Sequence, residues 1–254
     1  MMTLNKRVVL VSGASRGIGY ALVKRLLDEG AVVVACARTM CETSIAHERL
    51  TKIDADVAVD GELDRVFNEA IMRHGTVDAF VANAGFAYYE RLNEPTTSHI
   101  DDIFHVNVHH VIRGAARMKQ VKGEEPFNVM VTSSGVAFVQ TPGYALYSAT
   151  KAALEGFIGS YRHELARGQV IQAVYPIATE TAFFDRANQP HRPWPVQSAD
   201  RVAKAMVRGL KKNKKRIYPL PLFPIGRVLT PWFFTWYVRR EKKRFDTHHS
   251  IKRR

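Results

Sequence analysis

Two pairs of residues in this sequence have the types and the spacing of a proton-transfer pair. Tyr147 is followed by Lys151 in "YSATK", and Tyr20 is followed by Lys24 in "YALVK". A separation of four positions places both members on one face of a helix, where the ammonium can stabilise a phenolate. Chance alone predicts about 0.5 such pairs in a chain of this composition, so the spacing by itself selects neither.

The glycine-rich turn "SGASRGIG" distinguishes the two pairs. It follows the first apolar run and contains Gly13, Gly17 and Gly19. Backbone N–H groups in such a turn can close around an anion, and the N-terminus of the next helix adds partial positive charge. The turn therefore predicts a dinucleotide pyrophosphate site, with an ordinary strand-to-helix turn as the alternative. Tyr20 directly follows Gly19 and lies behind this site, so we interpret "YALVK" as structural.

Short apolar runs alternate with amphipathic stretches along the chain. The runs are 7–12, 31–37, 50–56, 77–83, 127–134, 170–176 and 216–220. This alternation predicts an α/β fold, a doubly wound parallel sheet of Rossmann type with seven strands and helices on both faces. The loop between Ser134 and Tyr147 is long enough to return a helix to the carboxyl edge of the sheet, where ligands bind in such folds.

Composition favours one catalytic domain in a reducing compartment. The 254 residues are 46% apolar, which is enough for one large core. Two cysteines, Cys36 and Cys41, are too few for a disulfide framework and lack the neighbours of a zinc site, so no metal is predicted. The first apolar run is too short for a signal peptide or a membrane span. We expect a cytoplasmic protein with a catalytic domain over 1–219 and an extension over 220–254.

The positive charge of the chain lies at one end. The formal net charge is +13, and from residue 208 onward 15 Lys and Arg accompany only two acids, Glu241 and Asp246. Attraction to anionic partners is therefore local to this end. A nucleic-acid-associated protein is one interpretation of such a tail. No nucleic-acid motif occurs, however, and the aromatic residues cluster instead of alternating with the charges, which disfavours nucleic acid as a partner.

Several motifs occur in the order found in one family of enzymes. They are "SGASRGIG", Asp56 with Val57, "NAG" at 83–85, Asn107 in "HVNV", Ser134 and "YSATK". From residue 6 to about 219 the chain resembles the short-chain dehydrogenase/reductase family. The resemblance implies a nicotinamide cofactor, a homo-oligomer (dimer or tetramer) and a catalytic tetrad of Asn107, Ser134, Tyr147 and Lys151.

The chemistry of these side chains suits the roles that the resemblance implies. For reduction, Tyr147 would donate a proton to a carbonyl oxygen, and Ser134 would hydrogen-bond the same oxygen as charge develops. Lys151 is expected to lower the tyrosine pKa and to hold the nicotinamide ribose. Asn107 would anchor a water that links the lysine to solvent.

The end of the second apolar run predicts the cofactor type. Ala37 and Arg38 stand where a carboxylate would bind an NAD ribose, and Arg38 with Arg16 suits the 2′-phosphate, so we predict NADP(H) in preference to NAD(H). Asp56 and Val57 would lie against the adenine, and Asn83 is expected mainly to tie neighbouring strands together. The predicted cofactor-site residues are Gly13, Ser15, Arg16, Gly17, Ile18, Gly19, Arg38, Asp56, Val57, Asn83, Ala84, Gly85, Tyr147, Lys151, Pro176, Thr179 and Thr181.

The sequence departs from the family after the sixth apolar run, where Ile177 stands in place of a glycine. Thr181, or less favourably Thr179, should still reach the cofactor. The segment 181–197 is in the family's lid position. Its aromatic residues predict an apolar carbonyl or alcohol as substrate, although they could equally pack the lid onto the body. The predicted substrate-pocket residues are Phe138, Tyr144, Phe183, Phe184 and Trp194.

The extension has the pattern of an interfacial helix. From Thr230, as N-cap, a helix could carry Trp232, Phe233, Trp236 and Tyr237 on one face and end in a basic cluster, so that 230–244 would bind an anionic membrane surface. The alternative is that these aromatics pack on the body or on a second subunit.

The sequence as a whole predicts an NADP(H)-dependent oxidoreductase, a carbonyl reductase or alcohol dehydrogenase, that acts on an apolar or lipid-like substrate and is peripheral to a membrane. A catalytically weak NADP-binding sensor or interaction protein is an alternative that the complete tetrad disfavours.

Overall fold

The fold is built around a parallel sheet. The computed structural model describes residues 3–92, 97–187, 189, 194–229 and 231–251. The strands are β1 Val8–Ser12, β2 Val32–Ala37, β3 Leu50–Asp54, β4 Ala79–Ala82, β5 Phe127–Thr132, β6 Gln169–Val174, β7 Thr179–Glu180, β8 Gln197–Ser198 and β9 Arg216–Ile217. Within the described residues, seven of them pair in parallel in the order β3-β2-β1-β4-β5-β6-β9. The predicted α/β Rossmann-type fold is confirmed, and all seven predicted runs contain a strand of the main sheet.

Helices cover both faces of the sheet. They are α1 Gly17–Asp28, α2 Glu62–His74, α3 Thr97–Phe104, α4 His110–Lys122, α5 Ala145–Tyr161, α6 Phe183–Arg186, α7 Ala199–Lys212, α8 Phe223–Leu229 and α9 Pro231–Ile251. A π-helix at His105–His109 joins α3 to α4, and a 3-10 helix at Gly135–Ala137 follows β5.

The core has two layers because side chains alternate across each buried strand. In β1, Val9 and Val11 pack with α1 and α7 on one face of the sheet. Val8 and Leu10 pack with α2, α4 and α5 on the other face. The crossover connections bring all carboxyl strand ends to one edge. The turns and helix N-termini that follow those strands therefore meet at that edge.

The short β7–β8 pair was not predicted from the sequence. Its two strands pair in parallel next to the residue that departs from the family pattern, Ile177. Gln197 stabilises the connection, because its main-chain N–H donates to the Ala178 carbonyl at 2.9 Å and its side chain donates to the Thr179 hydroxyl at 3.3 Å. These bonds fix the loop after β6 without a glycine at position 177.

The C-terminal extension forms two helices, α8 and α9. Helix α9 is longer than predicted and continues to Ile251, whereas the predicted N-cap, Thr230, lies outside the described residues. Across the described part of the chain, no helix combines the length and the apolar character needed to cross a bilayer. Phe245 of α9 is buried against Tyr89, with ring centroids 5.4 Å apart, so the extension packs on the body of the protein.

Candidate active site

A cavity of about 1180 Å³ lies at the carboxyl edge of the sheet. Its volume exceeds the range of about 300–1,000 Å³ that is usual for one small ligand. The cavity is therefore large enough for a dinucleotide together with a substrate. The predicted catalytic and cofactor-site residues that line it are Gly13, Ser15, Arg16, Gly17, Ile18, Arg38, Asp56, Val57, Asn83, Ala84, Gly85, Ser134, Tyr147, Lys151, Pro176, Thr179 and Thr181. The structure brings them together from six strand ends. Gly19 and Asn107 are buried behind this lining.

The glycine turn between β1 and α1 provides a close-fitting anion cradle. Gly17 has a φ of +55°, and a Cβ built on it would lie 2.9 Å from Cγ2 of Thr181. A Cβ on Gly19 would lie 2.2 Å from the Gly13 carbonyl oxygen. Side chains at these positions would therefore fill the cradle or push the turn apart. The free N–H groups at the start of α1 face this space, which fits a pyrophosphate group.

Ser134, Tyr147 and Lys151 converge next to the cradle. Tyr147 lies in the first turn of α5 and Lys151 one turn later, and both side chains are buried. The lysine Nζ lies 5.4 Å from the centroid of the tyrosine ring and donates to the main-chain carbonyl of Thr132 at 3.0 Å. The Ser134 hydroxyl accepts the main-chain N–H of Val136 at 3.2 Å, and Ser134 and Tyr147 line the same part of the cavity. The serine directly follows the end of β5, so the sheet and α5 together fix the geometry of the three groups.

Burial changes the proton affinities of this pair. It raises the pKa of Tyr147 to about 12, an effect that the nearby Ser134 hydroxyl partly offsets. Burial also lowers the pKa of Lys151 to about 8. Burial therefore outweighs every influence that would lower the tyrosine pKa, and the predicted lowering by Lys151 stays a prediction. At neutral pH Tyr147 is a neutral phenol, ready to donate a proton.

Asn107 holds the loop after β4 in place. It lies in the π-helix and has no exposed surface. Its Nδ2 donates to the Phe86 carbonyl at 2.9 Å and to the Thr150 hydroxyl at 3.1 Å, while its Oδ1 accepts from the Phe86 main-chain N–H at 3.0 Å. Both side-chain hydrogens are thus donated to protein atoms. A water at Asn107 would have to donate its own hydrogen to an Asn107 oxygen, and the predicted water-anchoring role stays a prediction.

Sequence reasoning missed a buried histidine behind the catalytic lysine. His110, the first residue of α4, is 1% exposed, and its Nε2 lies 3.4 Å from the Ser12 hydroxyl oxygen. Burial and the charge of Lys151 lower the pKa of His110 to about 3, so the ring is neutral. The Ser12 oxygen accepts the main-chain N–H groups of Asn83 and Ala84, at 3.0 and 3.2 Å. His110 therefore supports the loop that lines the cavity.

Asn83 ties the strands together, as predicted. Its side-chain amide donates to the main-chain oxygens of Ser12 and Gly13, and its Oδ1 accepts from the Thr132 hydroxyl at 3.2 Å. These bonds join the carboxyl ends of β1, β4 and β5. Because the three strand ends carry the glycine turn and the residues before Ser134, Asn83 sets the spacing between the cofactor cradle and the catalytic group.

The structure separates the two candidate threonines. The Thr179 hydroxyl donates to the Ile177 carbonyl at 2.8 Å, and the residue is buried. Thr181 contacts the glycine turn directly, at Gly17. Its hydroxyl accepts the main-chain N–H of Phe183 at 3.3 Å, next to the cradle. The geometry therefore agrees with the preference for Thr181.

Arg38 and Arg16 flank the cavity at the ends of β2 and of the glycine turn. Both side chains are exposed and line the cavity. The sequence around the end of β2 reads Ala37, Arg38, Thr39, without a carboxylate. The nearest acid on the neighbouring strand, Asp54, accepts the main-chain N–H of Cys41 at 2.8 Å. The end of β2 is consequently positive, with two guanidinium groups facing solvent and cavity.

Phe138 does not line the cavity, so its assignment to the substrate pocket is wrong. Its ring packs against Tyr175, with centroids 5.1 Å apart, beside the core. The 3-10 turn explains the difference, because three residues per turn place Val136 and Val139 on the cavity side and Phe138 on the opposite side. A prediction from sequence proximity to the catalytic pair could not include this rotation.

The other predicted pocket residues lie at the cavity. Tyr144 is buried, its ring centroid is 5.9 Å from that of Tyr147, and its hydroxyl donates to the Gln189 side chain. Phe183 packs against the other side of Tyr147 at 5.5 Å, with Phe184 behind it. Trp194 is 58% exposed at the rim. Residues 188 and 190–193 of the predicted lid lie outside the described residues.

The extension forms one wall of the cavity, and this wall was not predicted from the sequence. The contributing residues are Leu220, Leu222, Phe223, Gly226, Trp232, Phe233, Phe234 and Tyr237. Phe223 of α8 and Phe234 of α9 pack edge to face, with centroids 6.0 Å apart. The high density of aromatic residues over 223–237 was the available indication, and packing on the body was one of the alternatives that it left open, beside a membrane and a second subunit. This wall makes the substrate end of the cavity mainly apolar.

The competing pair, Tyr20 and Lys24, lies on α1 away from the cavity lining. The Tyr20 hydroxyl is 3.5 Å from the Ser44 hydroxyl, and Lys24 is exposed. The location agrees with the structural interpretation of "YALVK".

Comparison with known proteins gives one family and many related folds. The family described as short chain dehydrogenase matches residues 7–192. Versicolorin reductase 1 of Dothistroma septosporum is 30% identical over 194 residues, which cover 71% of this chain and 72% of that reductase.

Two solved structures illustrate the shared fold. A short chain dehydrogenase of Burkholderia cenocepacia in complex with NADP superposes with a TM-score of 0.79 and 21% identity, over 93% of this chain and 99% of that chain. A short chain dehydrogenase/reductase of Burkholderia phymatum in complex with NAD gives a TM-score of 0.78 and 19% identity, over 89% and 94% of the two chains.

Proposed function

The chain belongs to the short-chain dehydrogenase family of oxidoreductases, and we propose that it uses NADP(H) to interconvert a carbonyl and a secondary alcohol on an apolar small-molecule or lipid-like substrate. One observation carries the proposal. A serine, a buried tyrosine and a buried lysine line the same cavity as a glycine-rich anion cradle. Acid catalysis and dinucleotide binding therefore have their residues within one space.

The proposed reaction is a proton transfer coupled to a hydride transfer. When bound, the nicotinamide ring supplies the hydride for reduction or accepts it in oxidation. In reduction the Tyr147 hydroxyl donates its proton to the carbonyl oxygen. The Ser134 hydroxyl donates a hydrogen bond to that oxygen as negative charge develops on it. The raised pKa of Tyr147 keeps the phenol protonated at neutral pH, which is the state that the reduction step requires.

Lys151 serves the tyrosine and the cofactor. Once Tyr147 has given up its proton, the nearby ammonium stabilises the phenolate that remains. With a pKa of about 8, the lysine is mostly protonated at neutral pH but close enough to its titration to pass on a proton. Its remaining hydrogens can bind the ribose hydroxyls of a nicotinamide nucleotide.

The residues around the cavity support NADP(H) in preference to NAD(H). Arg38 and Arg16 can bind a 2′-phosphate with charge-assisted hydrogen bonds. An NAD ribose instead needs a carboxylate at the end of β2, and this chain has Ala37 there. The cavity therefore combines a positive adenosine end with an apolar substrate end.

The substrate that fits the other end is apolar and larger than a simple ketone. Tyr144 and Phe183 pack on the catalytic tyrosine, Phe184 packs on Phe183, and Phe234 and Tyr237 of the extension line the same cavity. The relative versicolorin reductase 1 carries the name of a reductase, which agrees with reduction of a carbonyl. An aromatic or long-chain carbonyl would fill this space. The predicted homo-oligomer and cytoplasmic location stay predictions.

The decisive experiment is a panel of apolar ketones and aldehydes assayed with NADPH and with NADH. Tyr147→Phe should lower kcat by about 10²- to 10⁴-fold, because it removes only the proton donor, and should leave cofactor affinity within a few-fold. Tyr20→Phe, in the competing pair, is the matched control and should keep turnover within a few-fold. Cofactor binding without turnover of any carbonyl would support the sensor alternative, and equal losses in both variants would overturn the role of Tyr147.

A further inference from the structure

Helix α9 has an inner face that attaches it to the body of the protein. Phe234 packs on α8, and Tyr237 lines the cavity of the catalytic body. Glu241 and Phe245 are 4% and 7% exposed. These positions recur at three and four residues, so they form one side of the helix. The inner face therefore fixes the orientation of α9 on the catalytic body.

The opposite side of α8 and α9 exposes large apolar side chains, and we call it the outer face. Trp232 and Trp236 of α9 are 70% and 50% exposed. Three residues in or next to α8, Leu222, Ile225 and Leu229, are 68%, 54% and 71% exposed. Elsewhere in the described chain, most exposed large hydrophobic side chains are scattered singly, which is normal for a soluble surface. Five within fifteen consecutive positions form a concentration of the kind that marks an interaction site.

Basic residues continue the outer face along α9. Arg239 and Lys243 follow Trp232 and Trp236 at helical spacing, and Lys242 precedes Lys243. The side chains of all three basic residues are exposed. The Arg240 guanidinium carbon lies 5.8 Å from the Trp236 ring centroid. Aromatic and aliphatic side chains at one end of a surface helix, with cations at the other, match the acyl boundary and the anionic headgroups of a lipid bilayer.

The outer face reaches the rim of the cavity. Leu222 and Trp232 line the cavity and are mostly exposed, and Trp194 lies at the same rim. We propose that the outer face docks on an anionic membrane surface, so that the cavity opens toward the lipid and an apolar substrate enters from the bilayer. Docking is independent of the chemistry, whereas the entry of substrate rests on the proposed function.

Charge favours a lipid surface over a second copy of the chain. The tail from residue 208 carries the whole net charge of +13, while the rest of the sequence is balanced. Two outer faces brought together would place cations near cations, which is repulsive. An anionic bilayer attracts the same residues, and its interior accepts the exposed tryptophan and leucine side chains.

Docking can be measured by sedimentation of the full chain with vesicles of phosphatidylcholine containing phosphatidylserine. The apolar variant removes exposed side chains that do not line the cavity, and it carries Ile225→Ser, Leu229→Ser and Trp236→Ser. Its matched control removes three exposed apolar side chains elsewhere and carries Val59→Ser, Met72→Ser and Ile112→Ser. The apolar variant should bind vesicles at least ten-fold more weakly at every salt concentration. The control should bind like the unmodified chain.

A second pair of variants tests the charge. The basic variant carries Arg239→Gln, Lys242→Gln and Lys243→Gln. Its control removes three exposed charges near the amino end of β9, at the opposite edge of the sheet, and carries Lys212→Gln, Lys214→Gln and Lys215→Gln. At low salt the basic variant should bind about 100-fold more weakly than the unmodified chain, because each basic residue near the surface contributes roughly five-fold. At high salt the difference should fade as screening removes the attraction.

The outcomes separate docking from catalysis. Because the apolar variant leaves the cavity lining intact, it should turn over a water-soluble carbonyl within about two-fold of the unmodified chain when vesicles are absent. An unmodified chain that stays in the supernatant at low salt but remains active overturns docking alone. Vesicle binding without turnover of any carbonyl supports docking and overturns the proposed function. A third outcome is that the unmodified chain does not bind vesicles and that the apolar variant has a lower mass than the unmodified chain by light scattering. This outcome would identify the outer face as a subunit interface and overturn the proposal.

Discussion

Lys151→Met should remove activity and also change the pH dependence of stability in a calculable way. The lysine is 4% exposed, and burial lowers its pKa from 10.5 to about 8. At 1.36 kcal/mol per pH unit, this difference corresponds to a cost of ~3 kcal/mol for keeping the buried ammonium charged. Methionine has a similar length without the charge. It loses the hydrogen bond to the Thr132 carbonyl, and an unsatisfied buried acceptor costs about 1–3 kcal/mol.

The two contributions differ in their pH dependence. Between pH 8 and 10.5 the unfolded chain keeps the Lys151 proton while the folded protein has released it, so the stability of the unmodified chain rises with pH across this window. Below pH 8 both states hold the proton and this contribution is constant. The loss of the Thr132 hydrogen bond does not depend on pH. At pH 7 the variant should therefore be as stable as the unmodified chain or up to ~2 kcal/mol more stable. At pH 10.5 the stability of the variant relative to the unmodified chain should be ~3 kcal/mol lower than at pH 7.

Urea unfolding at a series of pH values from 6.5 to 10.5 measures the difference directly, because other titrating groups contribute equally to both proteins. Lys24→Met is the control, since it removes an exposed lysine from the competing pair. Its stability should run parallel to that of the unmodified chain at every pH. A Lys151→Met curve that is also parallel would refute the reasoning, because it would mean that Lys151 keeps its ordinary proton affinity in the folded protein.

Three further predictions address the cofactor, the turn and the extension. Arg38→Ala should weaken NADPH by about 10- to 100-fold more than NADH in calorimetric titrations, because a charge-assisted contact is lost, and parallel losses would show that Arg38 does not contact the 2′-phosphate. Gly19→Ala should destabilise the protein and weaken NADPH binding, because its Cβ would lie 2.2 Å from a backbone oxygen. Gly159→Ala, which meets nothing within 4 Å on α5, should instead stabilise it by about 0.5–1 kcal/mol in thermal unfolding. Phe245→Ala should accelerate trypsin cleavage within α9, since the helix loses its contact with Tyr89, and an unchanged rate would mean that α9 is held elsewhere.

The fold and the catalytic group were predictable because each depends on local sequence. Buried parallel strands need continuous apolar runs, and the seven runs identified the seven strands of the main sheet. The close fit at Gly19 and the positive φ of Gly17 require glycine, so the turn can be recognised from the sequence. Tyr147 and Lys151 share a helix face because of their spacing alone. The predicted family membership is confirmed for the same reason, since the motifs are short and can be read locally.

Features that depend on packing were predicted less well. Phe138 is close to Tyr147 in the sequence, but the 3-10 turn rotates it toward Tyr175. The net rise in the pKa of Tyr147 was not predicted, because burial is a property of the surroundings and not of the Tyr147–Lys151 pair. His110 could not be connected with Ser12 and Lys151, since their proximity exists only once α4 and β1 have packed.

The extension shows most clearly what sequence and tertiary structure each determine. Its amino acids fix the helical periodicity, the aromatic density and the concentration of positive charge, all of which are local quantities. They leave open which side of the helix faces the body, because the competing surfaces are both apolar. Docking of Phe245 beside Tyr89 decides it: Tyr237 then faces the cavity, and Trp232 and Trp236 remain exposed. One aromatic cluster is thereby divided into a substrate wall and an outer face, because a helix attached by one side must present the other to solvent.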